Sequence, residues 1–130
     1  HIGIAVKNIE SANKLFAALL GREHYKIEQV SSEGVKTAFF EIGGVKIELL
    51  EATDPNSAIA RFIEKRGEGI HHLAFEVADI SSAISQYEEK GFQLVNPQPK
   101  DGADNKLIAF LHPKSTQGVL IELCQEKKSR

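Results

Sequence analysis

"HIGIAVKNIESA" fills residues 1–12 and "HLAFEVADISSA" residues 72–83, and the second stretch reads as a copy of the first. Each opens on a histidine, alternates through a short apolar run, reaches Asn or Asp, and starts an amphipathic segment. The displacement between them, 71 residues from His1 to His72, also carries "AFF" at 38–40 onto "AFL" at 109–111. A displacement of 74 carries "GVKIELL" at 44–50 onto "GVLIELC" at 118–124. A repeat of this length is the first thing a fold must explain. Two small modules sharing one domain fit a chain of 130 residues.

Each copy has the same local grammar. The alternation in "HIGIAV" predicts a strand. Asn8 then caps a helix with Ala12, Leu15, Phe16, Leu19 and Leu20 on one face, and Gly21 ends it. In the second copy Asp79 is the cap, Ala83, Ile84 and Tyr87 form the stripe, and Gly91 is the stop. Strands are expected over 26–31, 35–41 and 45–51, separated by "SSEG" and "GG" turns, and again over 92–96, 106–111 and 118–124. Between the copies "DPNSAIARFIEKRG" predicts a helix capped by Asp54 or Ser57, with Ile59, Phe62 and Ile63 inward and Gly67 at its end. The expected class is α+β: a single domain over 1–130 made of two βαβββ modules, 1–53 and 70–126, joined by a connecting helix within 54–69.

Strand alternation places His1, Gly3 and Ala5 on one face and Ile2, Ile4 and Val6 on the other. It likewise puts His72 with Ala74 and Glu76, Glu48 with Lys46 and Leu50, and Glu122 with Leu120 and Cys124. A carboxylate in an apolar strand needs a partner, because desolvating it costs several kcal/mol, roughly. If each module curls its sheet about a concave face, His1, Glu48, His72 and Glu122 meet there. Two imidazoles and two carboxylates suit a divalent first-row ion and leave two octahedral positions open. Singly, each residue has an ordinary structural reading, a hydrogen-bonded strand histidine or an exposed edge charge. Recurrence at equivalent places favours ligation. His71, facing away from His72, is expected to pack, His24 to be a solvated loop residue, and His112 in "FLHPKS" either to touch a ligand or to stabilise its turn.

Composition excludes several classes. With 16 basic and 18 acidic residues the chain has no broad positive field for nucleic acid. Apolar runs such as "LFAALL" fall far short of the roughly 18 residues a membrane-spanning helix needs, and no leader pattern opens the sequence. A lone cysteine, Cys124, forms no intrachain disulfide and leans towards a reducing cytoplasm, where it is expected to be a buried small hydrophobe.

Paired modules with a histidine on each first strand and an acid on each last strand resemble the glyoxalase, or vicinal oxygen chelate, superfamily. Its fold implies a curved, incomplete barrel-like mixed sheet. Within it, "HIGIAV", "KIELLEAT", "GEGIHHLAFEV" and "AFLHPKSTQGVLIEL" are similar to the methylmalonyl-CoA epimerase family along almost the whole chain. The resemblance implies a Co²⁺-preferring enzyme, with Zn²⁺, Ni²⁺ or Mn²⁺ as alternatives, commonly a homodimer, acting on an acyl-CoA. It places the metal ligands on His1, Glu48, His72 and Glu122 and a catalytic base on Glu122. Some relatives add a glutamate on the third strand, where this chain has Thr37, which leaves Glu48 or a bound water as the second acid/base. Lys114 and Ser115, with His112, are candidates to contact the acyl or CoA portion, a surface turn being the alternative. Arg61, Lys65 and Arg66 read as a solvated helix face.

Two other functions fit parts of the pattern. A glyoxalase I-type lyase acting on a glutathione hemithioacetal would use almost the same ligands, but such chains typically have a shorter turn than "HPKSTQG" before the last strand. A non-catalytic binding protein of this fold generally lacks the full ligand set. Ring-cleaving dioxygenases use two histidines and one carboxylate on iron.

Overall fold

The structure is a computed structural model and describes residues 1–127. Two compact units make up the chain, His1–His71 and His72–Arg130.

The first unit contains β1 (Ile2–Ala5), α1 (Ile9–Leu20), β2 (Lys26–Val30), β3 (Val35–Ile42), β4 (Val45–Ala52) and α2 (Ala58–Arg66). Its strands lie in the order β2-β3-β4-β1. The hairpins β2/β3 and β3/β4 are antiparallel, and β1 runs parallel to β4 because α1 and the first hairpin intervene. Ile4, Val6, Ala38, Phe40, Ile47 and Leu49 point to one side, where α1 covers them with Ile9, Ala12, Phe16, Ala17 and Leu20. Asn8 caps α1 by accepting from the Ser11 amide at 2.9 Å, and Gly21, at φ +73°, closes it. Leu15 and Leu19, expected on the buried stripe, are instead 60% and 68% exposed. At 100° per residue the buried arc runs through Ile9, Asn13, Phe16 and Leu20, and these two leucines lie beyond its edge. Of the two candidate caps for α2, Ser57 does the capping, accepting from the Ala60 amide at 3.1 Å. Asp54 instead closes the preceding turn through the Asn56 amide. Gly34, at φ +64°, lies where a β-carbon would come within 2.9 Å of Asp54, so this turn and the start of α2 can approach only a glycine.

The second unit repeats the scheme with β5 (Gly69–Glu76), which enters it at His72, α3 (Ile80–Glu89), β6 (Lys100–Asp101), β7 (Lys106–Leu111) and β8 (Ile121–Glu126), in the order β5-β8-β7-β6. Asp79 caps α3 through the Ser82 amide, and Ala83, Ile84 and Tyr87 pack on Ala109, Leu111 and Leu123 as the periodicity predicts. The expected strand over 92–96 is a correction. Only Leu94 bridges to β7 there, at Leu111, while the Val95 and His112 amides donate to Phe110 and Gln93. "NPQP" at 96–99 explains the break: proline has no amide to donate and restricts the residue before it. Pairing resumes only at the two-residue β6. The last strand also starts three residues later than expected, because a 3₁₀ turn at Pro113–Ser115 and Gln117 at φ +56° lengthen the preceding loop.

One further contact recurs. Glu51 Oε1 accepts from the Ile9 amide at 2.8 Å, and Gln125 Oε1 accepts from the Ile80 amide at 2.7 Å. The last strand of each unit thus holds the first turn of the helix, satisfying one of its unpaired donors.

Candidate functional site

Register builds the same pair of side chains in both units. Parallel pairing sets Gly3 against Glu48, and His1, two residues earlier on the same face, reaches it: His1 Nδ1 lies 3.1 Å from Glu48 Oε2. In the second unit Ala74 pairs with Glu122, His72 lies two residues earlier, and His72 Nε2 is 3.2 Å from Glu122 Oε1. Glu48, His72 and Glu122 are 5–6% exposed, and His1 is half-buried. The small residues between, Gly3 and Ala74, leave room beside each imidazole.

Around each pair the duplication extends to groups the sequence reading did not single out. Phe39 pairs across from Glu48 and Phe110 across from Glu122. Over Phe39 stands the Lys26 ammonium, 4.5 Å from the ring centre, and over Phe110 the Lys100 ammonium at 5.9 Å. The His72 ring meets Phe110 edge-on at 6.0 Å. Such contacts are favourable because an aromatic face is electron-rich and its edge electron-poor. The signal was available in the displacements already found, 71 between the two phenylalanines and 74 between the two lysines.

Burying a carboxylate beside a single imidazole is costly unless its charge is balanced. Each unit offers one imidazole nitrogen and one carboxylate oxygen side by side in an enclosed place, and such donors are those that divalent first-row ions select. The residues fit a cation.

The remaining candidates fall as follows. His71 packs edge-on against Phe62 at 5.0 Å, as expected of a residue facing away from His72. His24 departs from its expected solvated setting: its ring meets the edge of Phe40 at 5.9 Å, and Nδ1 is buried without a hydrogen-bond partner. In the turn before β8, His112 Nδ1 accepts from the Lys114 amide at 3.0 Å, and Ser115 Oγ accepts from the Gln93 amide and donates to the His112 carbonyl. His112 and Ser115 are thus tied into the turn, and Lys114 is exposed. Cys124 is a buried small hydrophobe, packed with Ala74 and Ile108 and donating to the Phe75 carbonyl at 3.6 Å. Arg61, Lys65 and Arg66 are exposed, with the Arg66 guanidinium 5.9 Å from the Phe62 ring. Thr37 is fully buried, and its hydroxyl has no hydrogen-bond partner.

Comparison with known proteins gives a consistent picture. The family model described as glyoxalase/bleomycin resistance protein/dioxygenase superfamily matches residues 1–110. An uncharacterized protein of Bacillus subtilis, YqjC, is 40% identical over 98% of this chain and 91% of its own length. The ethylmalonyl-CoA/methylmalonyl-CoA epimerase of Cereibacter sphaeroides is 39% identical over 96% of this chain and 95% of its own. Among solved structures, a substituted form of Streptomyces coelicolor methylmalonyl-CoA epimerase in complex with 2-nitronate-propionyl-CoA superposes with a TM-score of 0.93 at 32% identity, covering 100% of this chain and 94% of that one.

Proposed function

The chain belongs to the glyoxalase/bleomycin resistance protein/dioxygenase superfamily and has the paired-module vicinal oxygen chelate fold, and on that premise we propose that it is a metal-dependent epimerase interconverting the two C2 epimers of methylmalonyl-CoA. It is an isomerase by its relatives, and the acyl-CoA in the Streptomyces complex supports the substrate class. The observation that carries the reading is the twin His–Glu pair, built by the same register in both units.

In this proposal His1 and Glu48 from one unit and His72 and Glu122 from the other hold one divalent cation, Co²⁺ in preference to Zn²⁺, Ni²⁺ or Mn²⁺. When bound, the cation supplies Lewis-acid stabilisation to the negative charge that develops on the substrate's oxygens. That help is needed, since a carbon acid is many pKa units weaker than glutamic acid and each unit costs about 1.36 kcal/mol. Glu122 takes the C2 proton. Inversion then requires a proton delivered to the opposite face by a second group, and pseudo-symmetry makes Glu48 the first candidate. Burial of Glu48, His72 and Glu122 keeps bulk water from the charged groups and strengthens the fields they exert. The turn that His112 and Ser115 stabilise presents Lys114 to the acyl or CoA portion. A homodimer working in the cytoplasm completes the proposal. No helix among the described residues is long and apolar enough to cross a membrane.

Incubation of the metal-loaded protein with methylmalonyl-CoA in deuterated water tests the reading. Exchange of the C2 proton, lost on chelation and on Glu122→Gln, is the expected result. No exchange with any divalent metal, together with turnover of a glutathione hemithioacetal, would replace it with a lyase. Elemental analysis of the purified protein checks the cation separately: His1→Ala and His72→Ala should each lower the bound metal.

A further inference from the structure

Epimerisation balances only if the C–H electron pair stays with the substrate as an enolate while one group takes the C2 proton and another gives one to the other face. In the proposed function Glu48 and Glu122 both hold the cation, each beside a histidine at 3.1 and 3.2 Å, so an acid/base from outside the ligand set would let one of the two glutamates serve ligation alone. The first unit holds another carboxylate on the same face.

Antiparallel register writes two rows across that face. One row runs Lys26, Phe39, Glu48 and Gly3, and the next runs Glu28, Thr37, Leu50 and Ala5. Directly opposed residues share a face, with β-carbons about 4.5–5.5 Å apart, a span that a glutamate side chain can cross. Thr37 is small and wholly buried, and its hydroxyl is left without a partner, which is unusual for a buried polar group and points to a ligand or a water above it. The Glu28 carboxylate also leans in a definite direction. Its Oε1 lies 3.8 Å from the Lys26 ammonium, which itself stands 4.5 Å over the Phe39 ring. Glu28 therefore turns towards the row that contains Glu48, and not towards Val30 and the turn beyond it.

We propose that Glu28 is the second acid/base, reaching over Thr37, with Lys26 as the positioning residue that draws it there and Glu48 kept for ligation. In one direction Glu122 removes the proton and Glu28 supplies its own; in the other they exchange roles, and no further reactant is consumed. The second unit has no counterpart: Gly102 stands where the displacement of 74 would put a copy of Glu28, and Ile108 faces Cys124 where Thr37 faces Leu50. The duplicated pairs would then hold the substrate and cation, while a feature of one unit makes the chemistry two-sided.

This rests on the epimerase reading, and a single set of isotope measurements separates the two. Each epimer of methylmalonyl-CoA is followed in deuterated water with the metal-loaded protein and with Glu28→Gln, a change at a half-exposed residue. In the variant, inversion is expected to fall by about 10²-fold or more. The epimer whose proton faces Glu122 should still exchange C2 hydrogen without inverting, within about threefold of the wild-type rate, while the other epimer loses exchange. Glu28→Asp, one methylene shorter, should lie between. Moving the carboxylate across the strand pair in Glu28→Gln/Thr37→Glu should restore inversion if that double variant folds. Inversion by Glu28→Gln at the wild-type rate overturns the inference, as does equal loss of exchange from both epimers. Absence of exchange from either epimer with the unaltered protein overturns the epimerase reading itself.

Discussion

The two units agree where one would not expect a duplicated chain to agree after so much divergence, and differ where the sheet is most regular in the first. In unit one β2 is five residues long and pairs along its whole length with β3; in unit two "NPQP" leaves β6 only two residues. Yet the histidine two residues before the partner of the glutamate, the capping Asn or Asp, and the side-chain oxygen that holds the helix amide survive in both. An outer strand can lose pairing at the cost of a few hydrogen bonds, each worth about 0.5–1.5 kcal/mol net. A strand that both packs on a helix and carries the glutamate of a buried pair cannot shift by one residue without turning that glutamate away from the histidine and its leucines out of the core.

Substitutions at matched positions can break that picture, and the largest effect should come from the glutamates. Glu122→Gln should reduce C2 exchange by about 10²–10⁴-fold, the range for losing a general base. Glu48→Gln keeps an oxygen donor and should lose about tenfold less, measured as kcat/KM on methylmalonyl-CoA. Equal losses would make both glutamates acid/base groups and the units functionally alike.

Packing provides the next contrast. Leu49 and Leu123 occupy equivalent places and are 0% and 1% exposed, so Leu49→Ala and Leu123→Ala should each cost about 3 kcal/mol in urea unfolding. A much smaller cost at one position would reveal a looser core in that unit. The strand-to-helix contacts should then separate the units. Glu51→Ala removes a charged acceptor from a helix N-terminus and should cost about 2 kcal/mol, whereas Gln125→Ala removes a neutral one and should cost about 1 kcal/mol. The smallest effect is expected at the caps, where Asn8→Ala and Asp79→Ala should each cost about 1 kcal/mol and differ little in thermal unfolding.

Repetition made much of this legible in the residues. The displacement of His1 onto His72 and of Glu48 onto Glu122 named both pairs, because alternation puts each on a known face and a duplicated chain folds each copy alike. Caps at Asn8 and Asp79 could be named because one side chain and the next amides decide them, whereas Asp54 and Ser57 stayed alternatives until the turn before α2 was seen. Less local features escaped. Leu15 and Leu19 look like core residues on a helical wheel, since the width of the buried arc depends on how α1 lies on the sheet. His24 reads as a loop residue until Phe40 is seen beside it. Glu28 could not be told from any strand glutamate before its row against Thr37 was known.

By its own order of residues the chain determined the number of modules, the run of elements in each, and the types of side chain offered to a ligand, because periodicity, capping and repetition act over a few bonds. Tertiary structure alone decided which residues share a row across the sheet and how far the strand after the prolines pairs. Those outcomes depend on register between strands far apart in sequence, which no local preference encodes.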